Sequence, residues 1–154
     1  MAVAWRIVKA RHAESAFDGE GARRHGGRWN SRGTAVVYVA GSISLAVLEI
    51  VVHLATPRAL RNYVTISVEI DDDLIDRLDP ERLPDPWRSH PPPPEVQRLG
   101  DRWVVEETSA VLAVPSVIVP RETNYLLNPA HPDFARLRIG PPEPLELDER
   151  LAGR

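Results

Sequence analysis

The chain has 154 residues, of which 43% are hydrophobic and 27% charged, with 19 basic and 22 acidic side chains and a net charge of −3. A domain of this size buries about two-thirds of its unfolded surface, and the acidic balance argues against direct binding of nucleic acid or anionic lipid as the main activity. With no cysteine, the sequence excludes a disulfide framework, thiolate zinc and a cysteine nucleophile, and it fits a reducing, cytoplasmic setting.

The opening MAVAWRIVKARHAES lacks the apolar core of a signal peptide and reads as mature protein. Within it, residues 2–9 (AVAWRIVK) alternate as a strand does. A polar connection rich in Gly and Arg continues through Ser31. Residues 34–40 (TAVVYVA) form a β-branched run that predicts a buried strand. Gly41-Ser42 punctuates it, and Ser42 or Ser44 is placed to cap a helix beginning there. Residues 43–55 (ISLAVLEIVVHLA) are apolar all round, which predicts a core helix closed by Thr56-Pro57. Residues 62–70 (NYVTISVEI) show the clearest period-two alternation in the chain. DDDLIDRLDP suggests a short helix with its aspartates near the positive end. Residues 83–94 (LPDPWRSHPPPP) can be neither a central strand nor a helix interior. Residues 95–107 read as an amphipathic helix weakened by Gly100. Residues 109–120 give one or two strands broken at Pro115, and residues 124–132 a loop. ARLRIGPPEPLELDERL supplies one or two further strands before a polar tail at about 148–154. No run of 18 apolar residues occurs, so no membrane span is expected. The order predicts a single compact α+β domain over residues 1–154, with strands gathered around one central, buried helix.

Glu49 is the most anomalous residue, because every neighbour for three positions on either side is apolar. An ionised carboxylate in such a place is costly unless partnered. It either pairs with Arg28 or meets His53 at i,i+4, or it projects into a cleft where it can stabilise developing positive charge. The spacing of Glu49 and His53 lacks the zinc-protease pattern, so no metal is expected and His53 reads as a satisfied core histidine. GGRWN, residues 26–30, has two readings. It is a tight turn with Trp29 packed and Arg28 in solvent, or glycine there lets the main chain approach a ligand while Arg28 meets a phosphate or carboxylate. Neither the dinucleotide glycine fingerprint nor the P-loop pattern is present. Tyr38 is either a core aromatic or a stacking surface for a planar ligand. Ser116 lacks a nucleophile's context and is retained only as a hydrogen-bond donor lining a cleft.

Taken in order, W-R-I, G-G-R-W-N, V-V-Y-V-A, L-A-V-L-E and V-P-S-V-I-V-P-R-E-T-N-Y-L-L-N-P resemble the RES-domain family, over about residues 5–132. These are toxins of bacterial toxin–antitoxin pairs. The resemblance implies an enzyme that consumes NAD as a substrate, needs no cofactor, and has a fold like the ADP-ribosyltransferase core. The family's arginine, tyrosine, glutamate and serine fall on Arg28, Tyr38, Glu49 and Ser116, and W-R-I places a further arginine at Arg6. Glu49, Arg28 and Tyr38 are the implied catalytic residues. Cleaving the nicotinamide–ribose bond passes through an oxocarbenium-like state, which a carboxylate such as Glu49 stabilises. Arg28 and Arg6 would neutralise the pyrophosphate, Gly27 allow close approach, and Tyr38 stack on nicotinamide. Ser116 and Asn124 would hydrogen-bond ribose or the carboxamide. The family also implies an antitoxin with a helix-turn-helix DNA-binding domain and a toxin homodimer within the complex. Competing readings are a mono-ADP-ribosyltransferase acting on one protein, a non-catalytic domain that regulates a partner, and an RNA-acting toxin using Arg23 to Arg32. The last is opposed by the acidic charge and the lack of interleaved aromatics. The acceptor of ADP-ribose and the role of residues 83–94 stay open.

Overall fold

A computed structural model describes residues 1–54 and 61–152 of the chain. The alternating segments become β1 (Ala2–Lys9), β2 (Val37–Ala40) and β3 (Tyr63–Ile70), while a short α1 (Glu20–His25) interrupts the polar connection. Then come α2 (Ile43–Val51, before β3), β4 (Ile75–Arg77), α3 (Pro94–Glu106), β5 (Val111–Pro115), β6 (Thr123–Leu127), β7 (Arg138–Ile139) and β8 (Glu143–Leu145). The strands form one sheet in the order β4-β5-β6-β2-β1-β3-β7, with β8 also on β3. Among the described residues, β4–β5 is the one parallel pair. The architecture is α+β.

The connection between β3 and β4 forces the sheet to curl. In a flat sheet these strands would lie five inter-strand steps apart, roughly 24 Å. Yet the chain from Ile70 to Ile75 reaches at most about 18 Å. The sheet therefore bends until both ends share one core, in which Ile75 packs with Val68, Ile70, Val111 and Leu127. The opposite face carries two further clusters. One sets Leu112, Val114 and Leu126 against Trp29 and α3, which contributes Val96 and Trp103. The other sets Ile7 and Ala40 against Leu45 and Ala46 of α2.

The full register of β1 with β3, from Ala2↔Ile70 to Lys9↔Tyr63, contrasts with a single pair between β1 and β2, Trp5↔Ala40. Arg6 compensates for the missing ladder by donating from Nη1 to the Tyr38 carbonyl at 3.0 Å and from Nε to the Ala16 carbonyl.

Several expectations are corrected. The helix starting at Ile43 is capped by the Ser42 hydroxyl, as its sequence predicts, but it is buried on one face only. Leu45 and Ala46 are buried, whereas Leu48 and Val52 are 38% and 57% exposed, because the sheet lies beneath one side alone. The expected terminator Thr56-Pro57 and residue 55 lie outside the described residues. Residues 124–127, expected as a loop, belong to β6, which pairs with β2 and β5 and buries Tyr125, Leu126 and Leu127. Asn124 and Asn128 gave the segment its turn-like look, but they mark its ends. DDDLIDRLDP forms a single 3-10 turn, Asp72–Leu74, before β4.

Gly100 weakens α3 in propensity for a packing reason. A Cβ there would sit 1.7 Å from the Trp29 carbonyl oxygen. Gly100→Ala gains about 1 kcal/mol of helix propensity and should still be destabilised by roughly 1–3 kcal/mol net through overpacking. Thermal unfolding should show a midpoint several degrees lower; an unchanged midpoint would mean the Trp29 loop yields freely.

Candidate active site

Glu49 shares the sheet-facing side of α2 with Leu45 and Ala46. Its Oε1 accepts hydrogen bonds from Asn124 Nδ2 at 2.7 Å and Ser116 Oγ at 3.0 Å. Asn124 is placed by pairing with Ala40 on one side and Val114 on the other. Ser116 is fully buried just beyond β5. Its hydroxyl also accepts from the Ile118 and Val119 amides at 3.1 Å. A hydroxyl has one hydrogen to donate, and that of Ser116 is committed to Glu49. Both donors assigned from sequence to ribose or carboxamide thus hold the carboxylate here. Among the described residues, Oε2 of Glu49 has no hydrogen-bond partner, and the buried Oδ1 of Asn124 is also unpaired.

The ion pairs of the described residues all lie elsewhere, so Glu49 and Arg28 do not form the buried pair considered from sequence. His53 is exposed rather than a core histidine, and the described residues hold no metal-binding group of His, Cys, Asp or Glu.

Arg28 is half-buried and donates from Nη1 to the main-chain carbonyls of Trp87 (3.1 Å) and Ser89 (2.7 Å). Burial lowers its pKa from the ordinary value, while the charge of Glu49 opposes that shift. The loop carrying it is clamped from two sides. The Tyr38 hydroxyl donates to Asn30 Oδ1 and accepts from the Trp29 amide at 3.1 Å. A Cβ on Gly27 would lie 2.6 Å from that hydroxyl, so the glycine makes room for Tyr38. Asn30, fully buried, donates to the carbonyls of Ala22 and Thr34. From the other side, α3 presents Gln97, Gly100 and Asp101 at i, i+3 and i+4. Gln97 donates to the Gly27 carbonyl at 2.9 Å, Gly100 admits the Trp29 carbonyl, and Asp101 accepts from the Ser31 amide and hydroxyl. Sequence reasoning missed this trio. A glycine between two hydrogen-bonding residues on one helical face was the available signal.

Among the described residues, Arg6 meets this group at the Tyr38 carbonyl alone. Trp5 shares a register pair with Ala40 and packs with α2, so alternation sends Arg6 to the opposite face. Burial lowers its pKa, opposed by Asp18. Residues 83–94 do join it: Arg88 Nε donates to the Val117 carbonyl at 2.9 Å, and the Trp87 and Trp29 rings lie 6.1 Å apart. A groove of about 420 Å³ between β4 and residues 120–123 includes Pro115 and Thr123. Alternation along β6 places Thr123 on the face opposite Asn124.

Burial pushes the Tyr38 hydroxyl well above the usual tyrosine pKa, with the Trp29 amide opposing. The hydroxyl therefore stays protonated as a donor. The unfolded chain releases this proton first, near pH 10, so the group's contribution to stability holds below about pH 10 and is lost above it. Tyr38→Phe should cost about 1–3 kcal/mol at neutral pH and show a shallower alkaline loss. Urea midpoints between pH 8 and 11 check both.

Residues 3–148 match the RES domain family. The chain is 43% identical over 130 residues to a Yersinia enterocolitica protein named Toxin Res, covering 84% of this chain and 86% of that one. It is 42% identical over 134 residues to a Sphingobium protein named Prs ADP-ribosylating toxin, covering 84% and 83%. Its fold is similar, with a TM-score of 0.76 at 19% identity, to a chain in the crystal structure of the M. tuberculosis MbcT–MbcA toxin–antitoxin complex; the likeness covers 94% of this chain and 84% of that one. On the family match and the identity to these relatives, the chain belongs to the RES domain family.

Proposed function

We propose that the chain is a toxin of a bacterial toxin–antitoxin pair that consumes NAD by cleaving its nicotinamide–ribose bond. The observation that carries this reading is the Glu49 carboxylate, held at Oε1 by Ser116 and Asn124 with Oε2 uncommitted among the described residues. In the reaction, the bond between ribose C1′ and the pyridinium nitrogen breaks and its electron pair leaves with nicotinamide. Positive charge then develops on the ribose, and Oε2 faces it or grips a ribose hydroxyl. Asn124 Oδ1, buried and without a partner among the described residues, accepts from a second hydroxyl or the carboxamide. Arg28 takes the pyrophosphate through hydrogens other than those on Nη1. Tyr38 borders the nicotinamide while its hydroxyl keeps the Arg28 loop in place. Arg6 supports the β1–β2 junction in place of binding phosphate directly.

Water, phosphate or a protein side chain would complete the step by attacking C1′. The Sphingobium relative, named an ADP-ribosylating toxin, favours a protein acceptor as the second reading. The likeness to a toxin–antitoxin complex supports a cognate antitoxin that neutralises this chain. An antitoxin with acidic groups is suited to a cleft that attracts an anionic dinucleotide.

Glu49→Gln keeps the volume and loses the charge. It should lower nicotinamide release at least about 100-fold, as removal of one electrostatic stabiliser does, with a near-normal thermal midpoint. Retained turnover in a destabilised protein would assign Glu49 to structure. Arg28→Lys replaces a fork by a point charge and should raise KM for NAD; an unchanged KM would remove Arg28 from the phosphate site.

A further inference from the structure

The proline-rich residues 83–94 have no counterpart in the motifs that carry the family likeness, yet they touch both ends of the site. At one end the carbonyls of Trp87 and Ser89 receive Nη1 of Arg28. At the other, Arg88 reaches the Val117 carbonyl, one residue beyond Ser116. Leu83 and Trp87 pack on the cluster built around Trp29, and the two indole rings meet at 6.1 Å with a 36° tilt.

A guanidinium has five N–H groups in a fixed plane, two of them on Nη1. Two carbonyls on Nη1 therefore fix the plane of Arg28 and leave the hydrogens of Nε and Nη2 for a ligand. Carbonyls orient the cation but do not cancel its charge, as a carboxylate would. Arg28 is thus held in one geometry, still electropositive, which is what bidentate capture of a phosphate requires. The sequence around it cannot do this alone, since the Tyr38 and α3 contacts fix the loop's main chain and not the end of the Arg28 side chain.

We propose that Trp87 and Arg88 are positioning residues for the dinucleotide phosphates: Trp87 seats the strap on Trp29, Arg88 fastens it beside Ser116, and the strap's carbonyls aim Arg28. This rests on the NAD-consuming reading above. It opposes the view that the strap merely covers the cleft and must be displaced.

The test compares wild type, Trp87→Ala and Arg88→Ala by nicotinamide release across NAD concentrations, with Trp87→Phe added should Trp87→Ala fail to fold. Both truncations should raise KM about tenfold, the equivalent of one lost charge-assisted contact, with kcat within about twofold. A lowered KM would show the strap to be an obstruction, and an unchanged KM would show it to be inert; either overturns the proposal. In an Arg28→Lys background the effect of Trp87→Ala should shrink, because it acts through Arg28. Full additivity would overturn it. Hydrogen exchange of the Arg28 guanidinium, followed by 15N NMR, needs no NAD and should accelerate in both variants. A wild type that releases no nicotinamide would sink the functional reading, while unchanged exchange in the variants would by itself sink this one.

Discussion

Three remote parts of the chain meet at one carboxylate oxygen. Oε1 of Glu49, on α2, receives Asn124 from the middle of the sheet and Ser116 from the turn after β5. The arrangement depends on β6 lying between β2 and β5, since only there do Asn124 and α2 face each other. That placement in turn depends on the curl imposed by the short β3–β4 connection, which closes the apolar core on one face and leaves the other to carry α2, α3 and the Arg28 loop. Core formation and site assembly are consequences of the same bend.

The second half of the site is built differently. Glu49 is held by side chains acting directly on its carboxylate. Arg28 rides on a loop whose main chain is clamped by Tyr38, Asn30, Gln97 and Asp101, and its guanidinium then meets carbonyls from residues 87 and 89. Every acceptor that Arg28 finds among the described residues is neutral, so its charge remains for a ligand. Glu49 and Arg28 sense each other electrostatically without closing into an ion pair. A closed pair would neutralise both groups, whereas two separated and individually supported charges suit a substrate that develops a cation at one end and carries phosphates at the other.

The sequence made some of this legible and hid the rest for physical reasons. The alternation of β1 and β3 and the capping of α2 by Ser42 were local signals, and they appear as expected. Glu49 stood out because a charge within an apolar helix demands partners. Its partners could not be read, because Ser116 and Asn124 lie 67 and 75 residues away and meet it only through the sheet. Gly27 was legible as a site of close approach, but the approaching group is Tyr38. NYLLN looked like a loop from its asparagines, and long-range pairing with β2 and β5 overrode that composition. The apolar circumference of α2 suggested burial all round, yet a single sheet face can cover only one side. Arg6, a phosphate ligand by family likeness, also ties the junction of β1 and β2 through its two carbonyl partners, a role with no local signal.

The chemistry proposed for this site is cleavage of the bond between nicotinamide and ribose. Its most direct test is a time course of purified wild-type protein with NAD, in the presence and absence of phosphate, following nicotinamide and the ADP-ribosyl product together by chromatography. Nicotinamide should appear in excess of the protein present, matched mole for mole by an ADP-ribosyl product. Folded protein that releases no nicotinamide above the blank, with a protein extract added as a source of acceptor, would contradict it.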